Sequence, residues 1–212
     1  EKLKYLVGAR GSKLSLTQTN WVISELKKIN PDSEYEIKPI TTKGDTDTRP
    51  LFTIEQKGIF EKEIDRAVAE KEVDFAVHSL KDVPSELADN LIIASIPKRE
   101  KVNDVFISSD GSSLDEIKAG SVIGTSSLRR AVQVSRKRSD VVVKPIRGNI
   151  ETRIKKTSEE NYDAIVLAQA GISRLGVDIQ STFLSIDDFS PSPGQGAIAI
   201  VARIDDIQTI EM

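Results

Sequence analysis

Short apolar runs alternate along this chain with segments of helical period, and that order limits the folds it can reach. Val73-Asp74-Phe75-Ala76-Val77 is too brief for a helix and too apolar for a surface loop, so it reads as a buried strand. Residues 3–9 read as an earlier strand. A helix follows in which Leu14, Gln18, Trp21, Val22, Leu26 and Ile29 recur at helical spacing, with Ser12 as N-cap and Asn30-Pro31 as the stop. Residues 35–40 read as a second strand, and the polar, aperiodic stretch 41–56 as a mobile loop. Residues 58–71 read as a helix with Ile59, Phe60, Ile64, Ala67 and Val68 on one face. Trp21 and Phe75 are expected in the core. This β-α-β-α-β order predicts an α/β fold with mixed, mostly parallel sheets covered by helices.

The pattern then restarts. Strands are expected at 91–96, 105–108, 122–123, 141–146, 164–167 and 197–201. Helical segments are expected at 114–117, from the turn 124–130 to about Arg138, and at 150–159. The chain thus holds two α/β units. The first, residues 1–97, is discontinuous and takes back 197–212; the second is 102–190. The connecting segments 98–101 and 191–196 form a hinge, and a cleft between the domains is the expected ligand site.

Composition excludes several classes. Lys and Arg number 30 against 33 Asp and Glu, a net charge of −3, so a general nucleic-acid binder with a basic excess is not expected. No apolar run approaches the ~20 residues that span a bilayer. The first residues are too short and mixed for a signal peptide, and a cytoplasmic protein is expected. There is no Cys and one His, so a thiolate or histidine-rich metal site is excluded and no metal is expected.

Candidate chemistry gathers at strand ends. After 73–77 comes His78-Ser79-Leu80-Lys81-Asp82-Val83-Pro84, an adjacent cation and carboxylate where ligands meet side chains in α/β sheets. A solvated polar turn is the bland alternative. His78, a lone His beside an apolar strand, reads as a structural hydrogen-bonder more than a general base. A second strand feeds Gly124-Thr125-Ser126-Ser127-Leu128-Arg129-Arg130, whose hydroxyls, free N–H groups and forked guanidinium donors suit carboxylate or phosphate. An ordinary N-cap followed by solvated arginines fits the same residues. Arg147-Gly148-Asn149 with Arg153, Arg174, and Arg10 with Ser12 also follow strands. Cations at so many strand ends predict a polyanionic ligand, and Asp82 stands as the one carboxylate among them.

These segments resemble the porphobilinogen deaminase (hydroxymethylbilane synthase) family. The matching strings are ARGSKLSLTQ (9–18), KGIFEKEID (57–65), VDFAVHSLKDVP (73–84), VIGTSSLRR (122–130), RGNIETR (147–153), YDAIVLAQAGISRLG (162–176) and GQGAIAI (194–200). They occur in family order along nearly the whole chain.

The resemblance implies two domains, each like half of a type II periplasmic-binding protein. It implies a transferase that condenses four porphobilinogen molecules head to tail into hydroxymethylbilane, releasing ammonia, in haem biosynthesis. The product grows on a dipyrromethane primer, and every pyrrole carries an acetate and a propionate. By motif position Asp82 is the catalytic carboxylate. Lys81, Thr125, Ser127, Arg129 and Arg130 hold the primer, and Arg147 and Arg153 serve both primer and incoming pyrroles. Arg10, Ser12, Gln18, Phe60 and Arg174 face the substrate. The family's loop before KG-F commonly carries a Lys and paired glycines; here Thr53, Glu55 and Gln56 stand there, with Lys57 retained. Family members continue into a third domain whose Cys anchors the primer. This chain ends at Met212 without a Cys, so the expectation is a truncated chain, a naturally short protein, or a separate C-terminal domain or polypeptide that supplies the Cys as partner, with low turnover alone. A monomer is expected, without nucleic-acid or membrane partners. The alternatives are a two-domain binding protein for a small carboxylate, and an anion-binding regulatory module.

Overall fold

The computed structural model describes residues 3–47, 58–159 and 161–212. Two compact units are present. One comprises the described residues up to Glu100 together with Ala197–Met212, and the other comprises Lys101–Gly196.

In the first unit β1 (Lys4–Arg10) leads into α1 (Lys13–Ile29), then β2 (Glu34–Ile40), the short α2 (Lys43–Thr46), α3 (Lys62–Ala69) and β3 (Phe75–Ser79). A 3-10 turn (Leu80–Asp82), β4 (Leu91–Ser95) and, after the second unit, β10 (Ile198–Arg203) and α7 (Ile207–Glu211) complete it. The sheet order is β2-β1-β3-β10-β4. β1 pairs in parallel with β2 and β3, whereas β10 is antiparallel to both β3 and β4, so only β10 runs against the rest.

The period of two decides which helix each strand residue meets. Phe75 and Val77 pack with Tyr5, Val22, Ile23 and Ile198 on the α1 side, while Ala76 joins Ile64, Val68 and Val201 on the α3 side. Both faces of β3 are covered, which is why its run is apolar throughout.

The second unit repeats the plan with β5 (Asp104–Ser108), β6 (Val122–Gly124), α4 (Leu128–Lys137), β7 (Val142–Lys144), α5 (Ile150–Glu159), β8 (Ala164–Ala168), α6 (Gln169–Leu175) and β9 (Thr182–Phe183). Its order is β7-β6-β8-β5-β9, with β5 reversed relative to its neighbours. Phe106, Ile123, Val134, Val166 and Phe189 anchor its core.

Several expectations need correction. Trp21 is 38% exposed; the buried stripe of α1 is Gln18, Thr19, Val22 and Ile23, and Trp21 falls off it. The expected loop 41–56 contains α2, capped by a Thr42–Asp45 box; Thr53, Glu55, Gln56 and Lys57 lie outside the described residues. The helix expected from Gly58 begins at Lys62, because Gly58 sits at φ 78°, outside the helical region. The helices α6 and α7 and the two-residue β9 had no clear signal in the sequence.

Phe75 is fully buried. Phe75→Ala should therefore cost about 3–5 kcal/mol, seen as a lower urea midpoint. A loss below about 1 kcal/mol would place Phe75 outside the core.

Candidate active site

In each unit the candidate residues collect at the edge where the parallel strands end. In the first unit that edge carries Arg10 and Ser12 after β1, Thr42–Asp45 after β2, and Ser79 to Asp82 after β3. The start of β10 meets it, with Leu80 donating its N–H to the Ala197 carbonyl at 2.9 Å.

Arg10 is held on two sides. Its Nη2 and Nε donate to Asp45 Oδ1 at 2.5 and 3.2 Å, and its guanidinium carbon lies 4.1 Å from the centre of the Phe60 ring. Gly44 makes room for that ring; a Cβ there would overlap it. Burial would raise the Asp45 carboxyl, but hydrogen bonds from Arg10 and Thr42 outweigh it and hold Asp45 below its ordinary value. Ser12 caps α1, its Oγ accepting the Ser15 N–H at 3.3 Å, and its O–H remains a donor. Gln18 is buried and donates to Ser79 Oγ at 3.1 Å, tying α1 to the end of β3. His78 is buried with Nε2 2.8 Å from Asp65 Oδ1, the structural pairing expected of it.

Lys81 and Asp82 are exposed on the 3-10 turn. Pro84 follows and ends ladder pairing. The sequence reading missed Glu61, which is 3% exposed. Burial, reinforced by the negative charges of Asp82 and Asp65, pushes its carboxyl up to about 8. Its only sequence signal is an acidic residue between the apolar Phe60 and Ile64.

In the second unit the edge is formed by Thr125–Arg130 after β6, Arg147–Arg153 after β7, and Asp104 at the start of the reversed β5, which pairs with Ala168. Thr125 is buried and its Oγ1 accepts the Ser127 N–H at 3.2 Å. Ser127 Oγ in turn accepts the Arg130 N–H at 3.3 Å, so the capping alternative is realised, with both O–H groups still able to donate.

Arg129 and Arg130 converge on Asp104, which is fully buried. Arg129 Nη1 donates to Oδ2 at 2.8 Å, and Arg130 donates to Oδ1 from Nε at 3.1 Å and Nη2 at 2.9 Å. Gln195 Nε2 donates to the same Oδ1 at 2.9 Å and to the Val102 carbonyl at 2.7 Å. Asp82 is therefore not the sole carboxylate among these cations. Two adjacent arginines drawn toward a protein interior require a counter-charge, and that requirement was the signal for Asp104.

Gly148 takes φ 117°, and Asn149 Oδ1 caps α5 by accepting the Thr152 N–H at 2.8 Å, which sets Arg153 in the first turn. Arg147 is half-buried beside Gly148. The Arg153 Nε is shielded from solvent and has no hydrogen-bond partner among the described residues. Burial, with the neighbouring Arg130 charge, pulls Arg153 down to about 10, so it stays cationic at neutral pH. Arg174 Nη2 donates to the Gly196 carbonyl at 2.8 Å. Asp104 offsets one of the charges on Arg129, Arg130 and Arg153, and the remainder favours a bound anion.

The sequence model described as porphobilinogen deaminase, dipyromethane cofactor binding domain, matches residues 5–211. The chain belongs to the porphobilinogen deaminase family. A probable porphobilinogen deaminase of Nitrosopumilus maritimus is 83% identical over 99% of this chain and 68% of its own length. The porphobilinogen deaminase of Listeria innocua is 50% identical over the whole chain and 70% of its own length. In fold, the chain resembles the methionine-binding protein MetQ (TM-score 0.55, 14% identity, 98% of this chain and 87% of that one). It also resembles a probable amino-acid ABC transporter extracellular-binding protein of Bacillus subtilis (TM-score 0.55, 10% identity, 100% and 90%). These are type II periplasmic-binding-protein-like folds, as expected. The chain is thus an enzyme of the hydroxymethylbilane synthase family, acting in tetrapyrrole synthesis on porphobilinogen with a dipyrromethane cofactor. The shielded Arg153 Nε, without a hydrogen-bond partner among the described residues, fits a polycarboxylate of that kind. No sulfur of a Cys is available within the 212 residues to attach it. No helix among the described residues is long and apolar enough to cross a membrane.

Asp104 has its own pH signature. Burial would raise its carboxyl, but Arg130, Arg129 and Gln195 together hold it below the ordinary 3.8. A depressed value stabilises the fold above the unfolded-chain pKa of about 3.9, and that stability is lost as pH falls through the folded value. Asp104→Asn should cost about 3–5 kcal/mol at pH 7 and flatten the acid limb of urea stability below about pH 4. An unchanged acid limb would remove Asp104 from this role.

Proposed function

We propose that the chain carries out the condensation of its family, joining four porphobilinogen molecules head to tail into hydroxymethylbilane with loss of ammonia. The observation that carries the reading is the cation set of the second unit, above all the Arg153 Nε, which has no hydrogen-bond partner among the described residues and lies near the Arg130 charge. Each pyrrole brings two carboxylates, so a growing chain needs such a reserve of positive charge.

In this reading Arg129, Arg130, Lys81, Thr125 and Ser127 hold the dipyrromethane. When bound, that group supplies the acceptor on which the product is extended. Arg147 and Arg153 bind carboxylates of both cofactor and incoming pyrroles. Arg10, stacked on Phe60 and steadied by Asp45, offers its remaining donors to a substrate carboxylate, with Ser12, Gln18 and Arg174 as further contacts. Asp82, exposed and acidic, faces the pyrrole nitrogen and stabilises the positive charge that develops as ammonia leaves. The domain limits follow from this reading: 1–97 with 197–212, and 102–190, joined through 98–101 and 191–196.

Asp82→Asn should slow ammonia release from porphobilinogen by about 10²–10⁴-fold while leaving porphobilinogen binding largely intact. Equal rates in both proteins would contradict a catalytic Asp82. The 212 residues alone should bind porphobilinogen but form tetrapyrrole slowly, because they lack a Cys for the anchor. Sustained turnover at ordinary enzyme rates would contradict that expectation, and binding without any ammonia release would favour a carboxylate-binding protein.

A further inference from the structure

The turn after β6 carries three hydroxyls in a row, and they are used differently. Those of Thr125 and Ser127 accept backbone N–H groups, and their own protons stay available to a ligand. The hydroxyl between them, on Ser126, is spent on the protein. Its Oγ donates to the Ile146 carbonyl at 2.5 Å and accepts the Ile146 N–H at 3.0 Å. A serine has one proton to give, and here it goes to the backbone beyond β7.

That backbone leads into Arg147. The parallel pairing of β6 with β7 ends at Gly124 and Lys144, three residues before the arginine. Each carbonyl in between nevertheless has a partner. The Thr125 N–H donates to the Lys144 carbonyl at 2.9 Å, the Tyr162 hydroxyl to the Pro145 carbonyl at 2.6 Å, and Ser126 to that of Ile146. Gly124 makes room for the Tyr162 ring, since a Cβ there would come within 2.9 Å of it. Pro145 has no N–H to satisfy, and Ser126 takes the N–H of Ile146. A side chain thus prolongs the ladder where the two backbones stop pairing. Ile146 is 4% exposed, so opening the bridge would strand buried polar groups. On the far side Gly148 turns at φ 117° and Asn149 caps α5, so Arg147 stands between two fixed segments.

We propose that Ser126, assisted by Tyr162, is a positioning residue that fixes the backbone in front of Arg147 and so fixes where that guanidinium meets a ligand carboxylate. This rests on the assignment of Arg147 as a contact for the carboxylates of cofactor and pyrrole. Ser126 itself touches no ligand. Without its bridge the lead-in to Arg147 is loose, and every binding event has to order it again at a cost in entropy.

Hydrogen exchange at the Ile146 amide tests the bridge without any ligand. Ser126→Ala should speed it about tenfold, and Ser126→Thr, which keeps the hydroxyl, should restore the slow rate. An unchanged rate in Ser126→Ala would overturn the proposal. Calorimetric titration of the 212-residue chain with porphobilinogen tests the consequence. Ser126→Ala should bind about tenfold more weakly, and Ser126→Thr as tightly as the unsubstituted chain. Added to Arg147→Ala, Ser126→Ala should cause no further loss, because it acts through that arginine. A loss that adds in full would overturn the proposal. Tyr162→Phe is the milder variant should Ser126→Ala not fold. It should weaken binding about threefold and add nothing to Arg147→Ala; unaltered binding would overturn the proposal. If Arg147→Ala itself binds porphobilinogen at full strength, the assignment of Arg147 fails and takes the proposal with it. The Ile146 exchange rates distinguish that failure from an absent bridge.

Discussion

The buried carboxylate of Asp104 is the interaction on which the second unit's chemistry depends. It opens the reversed strand β5 and accepts from both Arg129 and Arg130. Gln195 joins it to the Val102 carbonyl, so the first and last segments of the unit meet at one charge. Two adjacent arginines at a helix start would otherwise repel each other and swing into solvent. Held on one carboxylate they become a fixed platform. Breaking such a pair costs more than the pair itself contributes, because the charge left behind is buried.

The two units treat charge differently. The second gathers cations and neutralises only part of them, leaving the Arg153 Nε without a hydrogen-bond partner among the described residues. The first binds Arg10 to Asp45 and Phe60 and buries the Glu61 carboxyl. A pyrrole bearing two carboxylates and an ammonium group asks for both kinds of environment. That correspondence links the electrostatics of the chain to the reaction of its family.

Much of the architecture was legible because the strands buried on both faces read as unbroken apolar runs. Phe75–Ser79 and Ala164–Ala168 are examples, and their ends marked the candidate residues. What escaped detection depended on contacts between segments distant in sequence. Trp21 lies just off a helical stripe whose buried members include the polar Gln18 and Thr19. Phe60 is placed by Gly44 and Arg10 rather than by helical period. Asp104 gains its meaning from Arg129, 25 residues away. Glu61 is unremarkable in its own segment and becomes informative only once folding buries it.

The reserve of positive charge is the central claim, and the Arg153 Nε–H reports on it directly. Its nitrogen-15 resonance should shift on titration with porphobilinogen, as the free donor gains a carboxylate partner. A resonance that stays unmoved at saturating porphobilinogen would contradict the account.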